Sequence, residues 1–205
     1  MNVGYSNVTG ARFERQVGTF YMGLNSSLGQ LSLRDESKTE KVYTPLQLHY
    51  HAPSEHTVDG NHYDLELHIV HAKNNNTELS VLGIFFDTKT GGATENEFLQ
   101  KMITAQNGTN TSTVNTWTPS AVDLQGLVSK LDLSKLVHYE GSLTTPGCAE
   151  IVEWNVLVDP QPISAAQLQF FTRHWAGNNT FARGRGNNRR VQPIGSRYIY
   201  LPSTI

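Results

Sequence analysis

Leu46-Gln47-Leu48-His49-Tyr50-His51 is followed, past the turn residues Asp59-Gly60, by Asp64-Leu65-Glu66-Leu67-His68-Ile69-Val70. Both runs alternate polar with apolar residues, the period of a β-strand, and the Asp-Gly pair marks the turn that returns the second toward the first. In an extended strand, side chains at i and i+2 share a face, so His49 and His51 can reach one point in space and His68 can meet them there. Three neutral imidazoles on rigid strands suit a catalytic zinc. Structural zinc sites close the tetrahedron with a fourth protein ligand, commonly Cys, whereas three His leave one position for water and bring its pKa to near neutral. A His-x-His pair taken alone also fits a polar stripe or a hydrogen-bonded core pair. The neighbours favour the metal. Gln47 shares the face of His49 and His51, and Glu66 shares that of His68; a carboxylate between Leu65 and Leu67 needs a buried partner, which a ligating imidazole provides.

Outward from this block, short alternating or apolar runs punctuated by Gly, Asn, Pro and Asp predict strands over 18–24, 29–33, 42–50, 63–72, 79–87, 136–143, 151–158 and 199–201. Periodic apolar positions predict helices over 95–104 and 164–173, the second with Ser164 as N-cap behind Pro162. The polar, Thr-rich stretch 109–120 reads as a surface loop. With no repeat and no linker, the 205 residues read as one domain, 1–205, long enough for a sizeable core. Charged residues are 17% and the net charge is -2, which gives no electrostatic case for nucleic acid or an anionic membrane surface. No apolar run approaches a membrane span, and Met1-Asn2-Val3-Gly4-Tyr5 has neither the basic nor the apolar region of a signal peptide.

Two further blocks follow the histidines: Gly141-Ser142-Leu143-Thr144-Thr145-Pro146, running on to Glu150 and Trp154, and Asn187-Asn188-Arg189-Arg190-Val191-Gln192-Pro193. In this order, from about Leu31 to Arg197, the three blocks resemble the alpha-class carbonic anhydrases. The style is closest to bacterial, plant and algal members, since Ala52-Pro53 and Asn188 stand where many animal members carry aromatics.

The resemblance implies a mainly β, α+β fold, with a large central, mainly antiparallel twisted sheet and short flanking helices. It implies Zn2+ on His49, His51 and His68, with Gln47, Glu66 and the backbone carbonyl of Asn187 as the acceptors that orient the three rings. Thr144 and Glu55 are implied as catalytic: the threonine hydroxyl donates to the carboxylate and aims the attacking oxygen at the substrate carbon. Val70, Val81, Leu143, Val152 and Trp154 are implied as an apolar wall for carbon dioxide, with Thr145 on the substrate side. The implied activity is that of a zinc lyase, the reversible hydration of carbon dioxide to bicarbonate and a proton, with small molecules as its partners. His56, His62, His71, His138 and His174 read as structural hydrogen-bonders. Two other readings stand beside this one. The first is a non-catalytic carbonic-anhydrase-like binding or assembly module; the second is a zinc hydrolase of esters or peptides, which here lacks the His-Glu-x-x-His helix of the common metalloproteases.

The family's Ser-Pro-Ile-type stretch, its first strand and its proton-shuttle histidine have no counterpart here, so the resemblance implies a domain lacking the N-terminal segment. No His precedes His49, and Tyr5, Tyr21, Tyr43 and carboxylates are the remaining candidates for relaying a proton. Asn-x-Ser/Thr patterns occur at Asn7, Asn25, Asn75, Asn107, Asn110 and Asn178. Cys148, the single cysteine, stands where secreted relatives carry a disulfide to the N-terminal region, so its partner is expected outside this sequence. Together these features imply a secreted, periplasmic or organelle-lumenal glycoprotein rather than a cytoplasmic one.

Overall fold

The computed structural model describes residues 1–6, 11–16, 19–24, 26–34, 37, 39–92, 94–107, 116–118, 122–173 and 185–201, with the backbone alone for 11–16, 107 and 116–118. Strands β1 (Asn2–Tyr5), β2 (Ala11–Gln16), β3 (Thr19–Gly23), β4 (Gly29–Arg34) and β5 (Glu40–His51) come first. They are followed by β6 (Thr57–Val58), β7 (Asn61–His62), β8 (Leu65–Lys73) and β9 (Glu78–Asp87), then helix α1 (Glu97–Asn107) and β10 (Thr116–Thr118). The chain continues through α2 (Leu124–Val128), β11 (Leu136–Gly141), β12 (Val152–Pro162), α3 (Ala165–Thr172) and β13 (Ile199–Tyr200).

One large sheet dominates, in the order β10-β2-β3-β5-β8-β9-β12-β11-β13, with β4 bridging β1 and β5. Among the described pairings β9–β12 is parallel and the rest are antiparallel, so the sheet is mixed but mainly antiparallel. β5 is long enough for two partners: its first half pairs with β4 and its second half with β3. β8 and β9 are buried almost end to end on both faces, as expected of central strands covered on either side. On one face, Leu48, Tyr50, Leu67, Ile69, Leu82 and Ile84 join the larger core, which α1 and α3 complete through Leu99, Met102 and Phe171. On the other face a smaller cluster gathers Val70, Val81, Phe85, Val152, Trp154 and Val156. Strand parity divides the two, and His49, His51 and His68 lie on the second face.

Asp59 and Gly60, with φ of 50° and 78°, form the tight turn of the β6–β7 hairpin between β5 and β8. Ser164 caps α3 in a full capping box with Gln167, whose side chain also accepts from the Asn96 backbone N–H, fastening the start of α1 to α3. The predicted loop over 109–120 is corrected in part: Thr116–Thr118 pairs with β2 as an edge strand, a role β-branched Thr and aromatic Trp117 suit although the polar surroundings hide it. Among the described residues no helix is long and apolar enough to cross a membrane.

Candidate metal centre

β5 and β8 run antiparallel with His49 directly opposite His68, His51 opposite Glu66 and Gln47 opposite Val70. One face therefore carries all three imidazoles, and their ring centroids stand 4.9, 5.1 and 4.7 Å apart. One nitrogen from each ring lies within 4.8 Å of the other two.

The remaining nitrogens decide which atoms face inward. His49 Nδ1 donates to Gln47 Oε1 at 2.8 Å, His51 Nδ1 to the Asn187 carbonyl at 3.2 Å and His68 Nε2 to Glu66 Oε1 at 2.8 Å. Each partner is an oxygen acceptor, so each ring carries its proton there and turns a lone pair toward the other two rings. The converging atoms are His49 Nε2, His51 Nε2 and His68 Nδ1. His51 Nε2 is buried with no hydrogen-bond partner, and His49 Nε2 lies 3.3 Å from His68 Nδ1. Zinc–nitrogen bonds of about 2.0–2.1 Å in a tetrahedron imply nitrogen–nitrogen edges of about 3.3 Å, so the edge between His49 and His68 has the length the ion requires. Burial and the neighbouring imidazoles push the His49 pKa well below its usual value, and burial with His68 lowers that of His51. Both effects favour the neutral, ligating form.

Glu66 anchors the site from below. Its Oε1 accepts from His68 and, at 2.6 Å, from His56 Nδ1, while Oε2 accepts the backbone N–H groups of Glu55 and His56 at 2.8 and 2.9 Å. Burial opposes ionisation, but His56, His68 and these hydrogen bonds outweigh it and hold the carboxyl well below the ordinary carboxylate range. His56 Nε2 in turn meets the Tyr139 hydroxyl at 2.7 Å. His56, Glu66 and His68 also cluster closely enough to suggest a metal, but their facing atoms are taken by one another. His56 and Tyr139 extend the support beyond what strand parity reveals, because a loop and a distant strand bring them in.

Asn187 works through more than its carbonyl. Its side chain donates to the Tyr50 carbonyl at 2.8 Å and accepts from the Ala52 N–H at 2.9 Å, pinning the C-terminal segment beside β5. The approach requires Gly186: its φ is 134°, and a Cβ there would lie 2.5 Å from the Ala52 carbonyl oxygen.

Glu55 is buried, and its Oε1 accepts from the Arg189 N–H at 2.8 Å. Its Oε2 has no hydrogen-bond partner and stands 3.5 Å from His51 Nε2. Thr144 shares with Glu55 a cavity of about 560 Å³, also lined by Tyr139 and Trp154. The hydrogen bond expected between Thr144 and Glu55 is not formed in the structure. Thr144 sits in the turn after β11, half-buried, and Thr145 is exposed. Val70, Val81, Val152 and Trp154 pack as one buried cluster with Leu143 against it, which brings the five apolar positions together.

The other histidines form structural hydrogen bonds. His62 meets the Ser54 carbonyl, His71 the Tyr5 hydroxyl and the Ser80 carbonyl, and His138 the Asn155 and Glu153 side chains. His174 lies outside the described residues, as do Asn7, Asn25, Asn110 and Asn178. Asn75 is exposed in the turn between β8 and β9, while Asn107 ends α1. Cys148 holds a free thiol that donates to the Thr145 carbonyl at 3.3 Å.

A model of the eukaryotic-type carbonic anhydrase family matches residues 6–203. The chain is 36% identical over 175 residues to a carbonic anhydrase of Dunaliella salina, covering 78% of this chain and 29% of that relative. It is 36% identical over 160 residues to one of Klebsiella pneumoniae, covering 75% of this chain and 55% of that relative. The chain thus spans about half the length, or less, of these relatives. Its fold matches the alpha-carbonic anhydrase of Thermovibrio ammonificans, solved in complex with the inhibitor sulfanilamide, at a TM-score of 0.74 and 30% identity, covering 96% of this chain and 77% of that one. Sequence and fold agree, and the chain belongs to the eukaryotic-type carbonic anhydrase family.

Proposed function

We propose that the chain holds one zinc ion through His49 Nε2, His51 Nε2 and His68 Nδ1 and catalyses the reversible hydration of carbon dioxide to bicarbonate and a proton. The observation that carries this reading is the convergence of three imidazole lone pairs, each fixed by an acceptor behind its ring. Zinc in a three-imidazole site supplies a Lewis acid that makes water nucleophilic near neutral pH.

The chain's own residues supply the rest. Val70, Val81, Leu143, Val152 and Trp154 offer an apolar surface to a substrate with little to hydrogen-bond. Glu55 Oε2 is a buried acceptor awaiting a donor, and Thr144 shares its cavity. Donation from the Thr144 hydroxyl to Glu55 leaves the threonine oxygen to accept a hydrogen bond from the attacking water oxygen and point that oxygen's lone pair at carbon. The Arg189 N–H keeps the carboxylate in place through its other oxygen. Water adds to the carbon of carbon dioxide, and the proton released passes to solvent.

Metal analysis and stopped-flow carbon dioxide hydration on zinc-loaded protein test the assignment. His68→Ala removes a ligand and is expected to lose zinc stoichiometry as well as rate. Full occupancy of His68→Ala at low free zinc overturns the ligand set. A zinc-replete parent that hydrates no carbon dioxide is instead a non-catalytic member.

A further inference from the structure

Crossing the sheet at the level of His68, β9 contributes Gly83, which has no side chain, and β5 contributes His49. Beyond His49, the residue directly opposite on β3 is Tyr21. Directly opposed residues of an antiparallel pair share a face, with Cβ atoms about 4.5–5.5 Å apart, so the Tyr21 ring begins beside His49. Its neighbours fix that direction: Phe20 and Met22 are 3% and 0% exposed in the larger core on the opposite face. The other residues of β3 on the metal face are Thr19, whose hydroxyl donates to the Tyr50 carbonyl at 2.7 Å, and Gly23. Tyr21 is therefore the one bulky side chain that β3 presents there.

Exposure shows why this side matters. His51 and His68 are 6% and 1% exposed, whereas His49 keeps part of its surface open, as does Tyr21. Of the three imidazoles, His49 is thus the one with surface left open, and Tyr21 flanks it. Of the three early tyrosines, Tyr5 and Tyr43 are buried in the larger core, leaving Tyr21 as the one on the metal face.

We propose that Tyr21 is a specificity-determining residue: its ring limits the size of molecules that reach the metal centre, admitting carbon dioxide and small anions and hindering bulky ligands. The proposal rests on the zinc site inferred above. It concerns steric bulk, not the phenol's proton.

Calorimetric titration of zinc-loaded protein with thiocyanate, a small anion, and dansylamide, a naphthalene-sized sulfonamide, reads the limit as a ratio of dissociation constants. Tyr21→Ala is expected to tighten dansylamide relative to thiocyanate by roughly tenfold, a typical scale for a pocket's steric discrimination. Tyr21→Phe, which keeps the ring, should follow the parent ratio. Tyr21→Trp should move the ratio the other way, and it decides the question if the alanine variant does not fold. Ratios unchanged in both Tyr21→Ala and Tyr21→Trp, with thiocyanate still bound, overturn the size limit. A parent that takes up no zinc overturns the metal reading itself and this proposal with it.

Discussion

At the residue scale, orientation of the ligands matters as much as their identity. Glu66 lies in the core with all its contacts to N–H donors, and these donors leave the lone pair of His68 Nδ1 no direction except inward. Glu66→Gln replaces one acceptor oxygen with an amide N–H that cannot accept from either imidazole. Loss of such a partner typically lowers metal affinity by about 10–100-fold, and competition with a chromophoric chelator should show that drop while the ligands remain. Thr144→Ala tests a different role. It removes no ligand, so zinc should stay bound while hydration falls on the order of a hundredfold through loss of one orienting hydroxyl. Unchanged kinetics would remove Thr144 from the mechanism. Both positions are readable in sequence, Glu66 by its parity with His68 and Thr144 by its motif. For His56 the sequence yields a structural hydrogen-bonder without its partners, and for Tyr139 nothing, because the bridge from Glu66 to Tyr139 joins β8 to β11 through a loop.

At the element scale, the alternating runs around His49 and His68 disclose β5 and β8 with their facing sides, because a period of two leaves one register that buries Leu48, Tyr50, Leu67 and Ile69 together. Pairing between strands distant in sequence carries no such local signal. The parallel contact of β9 with β12, the attachment of β10 to β2 and the seat of Tyr21 beside His49 all come from tertiary packing. The single-turn helix α2 was likewise hidden, being only five residues long, though Asp123 caps it by accepting from the Gly126 N–H. α3 is the opposite case, with a legible start. Its Ser164 hydroxyl accepts from the Gln167 N–H at 3.3 Å, and Ser164→Ala should cost about 1 kcal/mol in urea denaturation. A change within error would mean that Gln167's bonds to Asn96 alone fix the helix start.

At the scale of the whole molecule, Glu153 on β12 ties together strands that are far apart in the chain. It accepts from Lys41 on β5 at 2.8 Å and from His138 on β11 at 3.1 Å, and the His138 ring packs against Tyr200 of β13 at 5.8 Å. The hydrogen bond from His138, reinforced by Lys41 against the opposing effect of burial, holds the Glu153 carboxyl down to about 2 from 4.5. Glu153 chiefly, with Asn155, raises the His138 pKa above 6.5. The signs then differ. A depressed carboxyl stabilises the fold fully above 4.5 and loses that contribution as pH falls toward 2, whereas a raised imidazole contributes fully below 6.5 and loses its share as pH climbs through the folded value. The clamp is strongest between those two ordinary values, near pH 5 to 6. Glu66, also held low, adds to the acid limb. Since His138 and Lys41 are each nearly a third exposed, solvent screening limits the expected effect of Glu153→Gln to about 1 kcal/mol at that optimum. Urea denaturation of parent and variant, both zinc-loaded, should show the stability gap peaking there and narrowing on either side. A gap of constant size from about pH 3 to pH 8 would show that the clamp acts by packing and not by charge.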